Sequence, residues 1–149
     1  MAFEFRYATI EDVEQIASIE EASMPNPWKA PSYIEAIESD HAFIIVATDS
    51  NKVAAFAVFY LTPPEAELPD IVVDKSYRGQ GLGKELMSFA FTELASKNID
   101  TVFLEVRESN TPARALYNTM GFEEIGKRKY FYSNPIEDAV CMKKEFNDA

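Results

Sequence analysis

The stretch "IVVDKSYRGQGLGKEL" (71–86) limits the possible folds of this chain more than any other. An apolar run leads through Arg78 into glycines at alternate positions, Gly79, Gly81 and Gly83. Beyond them Leu82, Leu86, Phe89, Ala90 and Leu94 recur at helical spacing to about Lys97. A strand therefore turns directly into a helix. The first N–H groups of a helix are unpaired and carry partial positive charge. Glycines there let an anion approach the backbone without meeting a Cβ, and Arg78 and Lys84 add formal charge. The chemistry fits a phosphate or pyrophosphate cradle; the other reading is a glycine-rich turn with no ligand. Two nucleotide loops fail on spacing. A Walker loop needs a glycine at 78 and Ser or Thr after Lys84, where Glu85 stands. A dinucleotide fingerprint needs its third glycine three residues after the second, and here it comes after two.

The rest of the chain supplies a sheet for this turn. "FEFRYAT" (3–9) alternates as a strand, and Thr9 with Asp12 forms a variant capping box. Ile10, Val13, Ile16 and Ala17 then predict a helix over 10–23, broken by Pro25 and Pro27. A short helix is expected over 30–39. "AFIIVATDSNKVAAFAVFYL" reads as a hairpin with Asp49, Ser50 and Asn51 in its turn. "AELPDIVVD" is a strand interrupted by Pro69, which predicts a bulge near Pro69–Asp70. "TVFLEVR" (101–107) is another strand. Thr111 and Pro112 open a helix that ends at Gly121, and strands follow over 122–132 and 137–145. The order is β-α-α-β-β-β-α-β-α-β-β. Its strand–helix–strand unit at 66–107 implies a parallel pair with a right-handed crossover, while the hairpins imply antiparallel flanks. The expected fold class is α/β, with a mixed sheet in a single domain over 1–149.

Composition removes several functions. The net charge is −11, opposite in sign to the usual nucleic-acid binder, so no nucleic-acid partner is expected. An acidic surface attracts basic peptides or polyamines, or simply keeps the chain dissolved. The single cysteine, Cys141, allows no internal disulfide framework and fits a reducing compartment. The N-terminus lacks the pattern of a signal peptide, and no apolar run approaches the roughly 20 residues of a membrane span. A cytoplasmic protein with no membrane partner is expected. His41 is the only histidine, more at home in a turn than in a site, and no ligand spacing surrounds it or Cys141. No metal site is expected, nor a Ser-His-Asp or Cys-His nucleophile.

Two side chains stand out as carriers of chemistry. Glu105 is the one carboxylate inside "VFLEV". Its alternation mates are Phe103 and Arg107, while Val102, Leu104 and Val106 face the other way. Burial would raise its pKa into the range of a general base, and Arg107 would oppose that. A plain ion pair with Arg107 is the other reading. Tyr117, one residue past a core-facing Leu116, is either a half-buried packing residue or a proton donor.

The order Arg-Gly-X-Gly-X-Gly in "VVDKSYRGQGLGKELM" resembles the acyl-CoA loop of the GNAT family of N-acetyltransferases. "LEVRESNTPARALYNTMGF" resembles the second half of the fold in that family's ribosomal-protein alanine N-acetyltransferases (RimI type). "NPWKAPSY" and "EDAVCM" match the same group in place and order, so the resemblance covers essentially the whole chain. It implies the GNAT fold: a mostly antiparallel sheet with a splayed parallel strand pair, flanked by about four helices. It implies acetyl-CoA as co-substrate, with pyrophosphate on Arg78, Gly79, Gln80, Gly81, Leu82, Gly83 and Lys84. The pantetheine arm would pair with the backbone of Ile71, Val72 and Val73, and Asn110 would contact the coenzyme. The Val73 N–H is the family-consistent donor to the carbonyl oxygen. Glu105 matches the group's catalytic base and Tyr117 its general acid, which implies direct transfer without an acyl-enzyme. The acceptor would be a basic peptide or protein N-terminus, that of a ribosomal protein above all. Trp28, Tyr130, Phe131 and Tyr132 either line its groove or are strand and loop aromatics of the core, and Glu137 and Asp138 either receive its basic residues or are simply solvated. Tyr130 and Phe131 stand where the group usually has asparagine and tyrosine, and the loop 133–136 is short. An acetyltransferase for a small amine and a non-catalytic acyl-CoA sensor are the competing readings.

Overall fold

The sheet grows from a tight turn. Ser50 and Asn51 both take positive φ, 49° and 73°, the geometry that lets two strands leave a two-residue loop with the right twist. They join β2 (Ala42–Asp49) to β3 (Lys52–Thr62). Asp49 is paired with Lys52 as the last step of the ladder rather than lying in the turn. Both strands are buried almost throughout, so their apolar runs need cover on two faces. A computed structural model describes residues 3–146 and shows how that cover is arranged.

The elements follow the order expected from the periodicities. β1 (Glu4–Tyr7) leads through a 3-10 turn at Ile10–Asp12 into α1 (Val13–Ser23) and α2 (Ala30–Glu38). After the hairpin come β4 (Glu65–Val73), α3 (Leu82–Ser96), β5 (Thr101–Arg107), α4 (Thr111–Thr119), β6 (Glu123–Tyr132) and β7 (Glu137–Glu145). The strands form one seven-stranded sheet in the order β1-β2-β3-β4-β5-β7-β6. Only β4 and β5 run parallel; every other neighbouring pair is antiparallel. One core lies on the α3 face and includes Phe59, Leu86, Leu94, Val102 and Met142. The other lies under α1 and α2 and includes Ile16, Tyr33, Phe56 and Val72. The helix expected over 10–23 is divided. Asp12 accepts the Thr9 N–H (2.8 Å) and two bonds from Arg6 (2.7 and 2.9 Å), which fixes the tight turn before α1.

β4 changes face along its length. Asp70 sits opposite Val58 and Glu67 opposite Tyr60, so Leu68 and Pro69 together oppose the single residue Phe59. The bulge is therefore at Leu68–Pro69, one residue before the expected position. Proline cannot donate to the ladder, so the extra residue falls where the missing N–H costs nothing. Ala66 and Leu68 point into the α3 core, whereas Val72 points into the α1/α2 core. The bulge thus turns Asp70 toward α1. It also ends the parallel pairing. β4 and β5 pair only at Glu65–Thr101, Ala66–Val102 and Glu67–Phe103, then part.

Candidate active site

The opening between the two parted strands is a cleft of about 230 Å³. Leu68 to Ile71 form one wall and Glu105 to Arg107 the other. Met24, Asn26 and Trp28, from the segment between α1 and α2, lie over it, with Asn110, Tyr117 and Tyr132 also lining it. The segment is tied across by Asn26, whose amide donates to the Ser133 carbonyl (2.9 Å) and whose oxygen accepts from Asn134 (3.2 Å).

Glu105 is half-buried on β5, between the buried Leu104 and Val106 of the opposite face. Arg107 does not pair with it. The Arg107 guanidinium instead donates to Glu137 (3.2 Å) and to the carbonyls of Pro135 and Ser133 (both 3.0 Å), and lies 4.5 Å from the Tyr132 ring centroid. Arg107 therefore anchors the turn between β6 and β7, and no ion pair engages Glu105 among the described residues. Glu137 is also committed: it accepts the Ser109 N–H at 2.6 Å, and the Ser109 and Arg107 bonds hold its carboxyl below the usual range. Asp138 accepts the Tyr130 N–H at 3.0 Å.

Tyr117, not Leu116, is the buried residue of α4; its ring packs edge-on against Phe122 at 5.6 Å. Leu116 is half-buried and lies over Gly83. Burial above all raises the Tyr117 pKa, so its hydroxyl keeps its proton at physiological pH. Tyr132, pushed up to about 12 by burial and then by Glu105, is neutral there too.

Sequence reasoning missed a buried acidic pair in the same cleft. Glu20 on α1 and Asp70 on β4 are 1% and 7% exposed. Tyr33, fully buried on α2, faces them. Glu20 Oε2 accepts the Trp28 N–H (3.1 Å), but Glu20 Oε1, Asp70 Oδ2 and the Tyr33 hydroxyl have no partner among the described residues. Burial and the adjoining Glu20 carboxylate push Asp70 up to about 9. The signal lay in helical spacing: Glu20 follows Val13 and Ile16 on the apolar face of α1. Asp70 gave no such signal, because its facing depends on the bulge.

The glycine turn lies beyond the cleft lining, at the end of β4. Gly81 is the N-cap of α3 with φ 78°, and Gly79 has φ 80°. A Cβ at either would meet no atom of the described residues within 4 Å. Among the described residues, no N–H of residues 79–84 has a hydrogen-bond partner, and Glu85 is the first to close the helix, on Gly81 (3.1 Å). Gly83 is a packing glycine; its Cβ would lie 3.4 Å from Leu116. Arg78 donates to the Val73 carbonyl (3.0 Å) and to Ser23 (3.1 Å), while Lys84 is exposed on the first turn. A row of free N–H groups beside an open hollow fits a diphosphate, and the unpaired β5-side edge of β4 past Glu67 fits an extended amide chain.

Of the residues singled out from sequence, the cleft gathers Glu105, Tyr117, Asn110, Ile71, Trp28 and Tyr132. Val72 and Val73 continue β4 toward the glycine turn. Tyr130 and Phe131 lie outside, 77% and 45% exposed on the edge strand β6, and Glu137 does not line the cleft.

Comparison with known proteins agrees with this architecture. The family model described as Acetyltransferase (GNAT) family matches residues 13–122. A [ribosomal protein bS18]-alanine N-acetyltransferase of Escherichia coli is 34% identical over 133 residues, 88% of this chain and 89% of that one. The crystal structure of the Escherichia coli ribosomal-protein-S18-alanine N-acetyltransferase superposes with a TM-score of 0.91 at 31% identity, covering 99% of this chain and 96% of that one. A NatC complex bound to Gag peptide and CoA contains a chain of the same fold, with a TM-score of 0.88 at 20% identity, covering 99% of this chain and all (100%) of that one.

Proposed function

This chain belongs to the acetyltransferase (GNAT) family and is an acetyl-CoA-dependent N-acetyltransferase, and from that premise we propose that it acetylates the N-terminal alanine of a small-subunit ribosomal protein. The observation that carries the proposal is the shared cleft of Glu105 and Tyr117: one carboxylate without an ion pair among the described residues and one phenol that keeps its proton. Likeness to a relative named for this activity over 88% of the chain supports the choice of acceptor.

The free N–H groups of residues 79–84, with Arg78 and Lys84, would hold the pyrophosphate of acetyl-CoA. Ile71, Val72 and Val73 would pair with its pantetheine arm, and Asn110 would close the far side. When bound, this co-substrate supplies an activated carbonyl and a sulfur that departs as a thiolate. The acceptor's α-amine has a pKa of about 8, so near neutral pH most of it is protonated and cannot attack. Glu105 removes that proton, directly or through a water. The Tyr117 hydroxyl holds a proton for the departing sulfur. The Val73 N–H is the candidate donor to the carbonyl oxygen. Trp28 and Tyr132 would flank the peptide's first residues.

Mass spectrometry of a basic peptide beginning Ala-Arg, incubated with acetyl-CoA and the enzyme, tests the reading. One acetyl group on the α-amine is expected. An unmodified peptide with turnover on spermidine would favour a small-amine acetyltransferase. Coenzyme binding with no turnover on any amine would favour a sensor.

A further inference from the structure

Glu20 and Asp70 join two walls of the cleft that the reaction must keep aligned. Glu20 carries the acceptor side, because its Oε2 accepts the backbone N–H of Trp28 at 3.1 Å. Asp70 belongs to β4, one residue before the segment that would pair with the coenzyme. The bulge at Leu68–Pro69 turns Asp70 toward α1, so its carboxyl meets Glu20 rather than the α3 core. Glu20 Oε1 and Asp70 Oδ2 are both buried without a donor, and neither residue takes part in a salt bridge among the described residues. Two carboxylates cannot bond one another, whereas a carboxylic acid and a carboxylate can. A single retained proton satisfies both orphaned oxygens at once.

We propose that Glu20 and Asp70 form a one-proton latch, which positions the Trp28 segment against β4 and so sets the acceptor side of the cleft. The inference rests on the acetyl-transfer reading for its kinetic consequence, but not for the latch itself. Glu20 and Asp70 are positioning residues, acting through Trp28 and β4. With the shared proton present the segment is tied down. When it is lost, two buried anions face each other and the tie opens. The other groups facing the pair are Tyr33 from α2 and Tyr117 from α4, with Glu105 and Arg107 of β5 and Tyr132 of β6 around the same cleft. All three tyrosines are raised above their ordinary value, so they stay protonated while Asp70, pushed up to about 9, gives up its proton.

Trp28 is the sole tryptophan, so its fluorescence reports the latch without any assay of activity. In the wild type we expect a one-proton fluorescence transition near pH 9. Across it the KM for the peptide acceptor should rise about fivefold or more at little-changed kcat. That direction opposes the ionisation of the acceptor, which alone would improve binding of the free amine as pH rises. In Asp70→Asn the amide donates to Glu20 at every pH, so both the fluorescence transition and the KM rise should vanish. In Glu20→Gln the like charge is gone and the transition should move to lower pH. Circular dichroism checks that each variant is folded. A transition that persists in Asp70→Asn, or a midpoint unmoved in Glu20→Gln, overturns the latch; should one variant fail to fold, the other still decides. The expected fluorescence behaviour without any peptide acetylation would uphold the latch and remove the proposed acceptor instead.

Discussion

Glu105 and Asp70 are both carboxyls in strands beside one cleft, and their surroundings differ. Glu105 is half-buried and free of Arg107, so it can meet an incoming ammonium. Asp70 is buried against another carboxyl and keeps its proton. Replacing Glu105 with Gln should leave coenzyme affinity unchanged by calorimetry. It should lower the acetylation rate by about a hundredfold or more near neutral pH, the usual worth of a general base. The loss should shrink on the alkaline side, where the acceptor amine is already unprotonated. A pH–rate profile parallel to the wild type would remove Glu105 as the base. That Glu105 would stand apart on its strand was legible in the sequence, because a lone carboxylate interrupts an apolar run, and the structure sets it in the cleft lining. The fate of Arg107 was not, because its partners Ser133, Pro135 and Glu137 reach it only when β7 pairs beside β5.

Among the elements, the turn from β4 to α3 was the easiest to read, since residue order alone encodes a strand, a glycine hollow and a helix N-terminus. The structure divides its glycines by task. Gly79 and Gly81 supply left-handed backbone, and Gly83 supplies room for Leu116. A Cβ at Gly81 would meet no described protein atom within 4 Å, so the penalty of a side chain there is backbone strain and lost ligand space. Gly81→Val should lower stability by about 1–2 kcal/mol, the cost of a left-handed L-residue. Coenzyme affinity should fall with it. Gly83→Ala, where a methyl makes ordinary contact at 3.4 Å, should stay close to wild-type stability. Thermal melts and calorimetry on the pair separate the two roles, and wild-type coenzyme affinity in Gly81→Val would defeat the cradle. The neighbouring bulge was half legible. Pro69 announced an interruption, but which residues share one partner depends on the register with β3, and that register decides where Asp70 points.

For the whole molecule, the two best-placed buried aspartates pull the pH dependence of stability in opposite directions. Asp12, held down by its bonds from Arg6 and then by the Thr9 N–H, contributes stability above its unfolded pKa and loses it as pH falls through its lower folded value. Asp70 does the reverse. Its folded pKa of about 9 exceeds the ordinary value, so between the two the native chain holds a proton the unfolded chain has released. Its contribution is complete below about pH 4 and declines as pH rises toward 9, at most by about 1.4 kcal/mol per pH unit for one proton. Urea unfolding of the wild type from pH 6 to 9 should therefore show falling stability. Asp70→Asn, which has no proton to lose in either state, should flatten that decline and gain on the wild type as pH increases. Parallel curves for the two proteins would mean that Asp70 is ionised in the folded state, and a carboxylate pair without its proton could not tie the two walls of the cleft together.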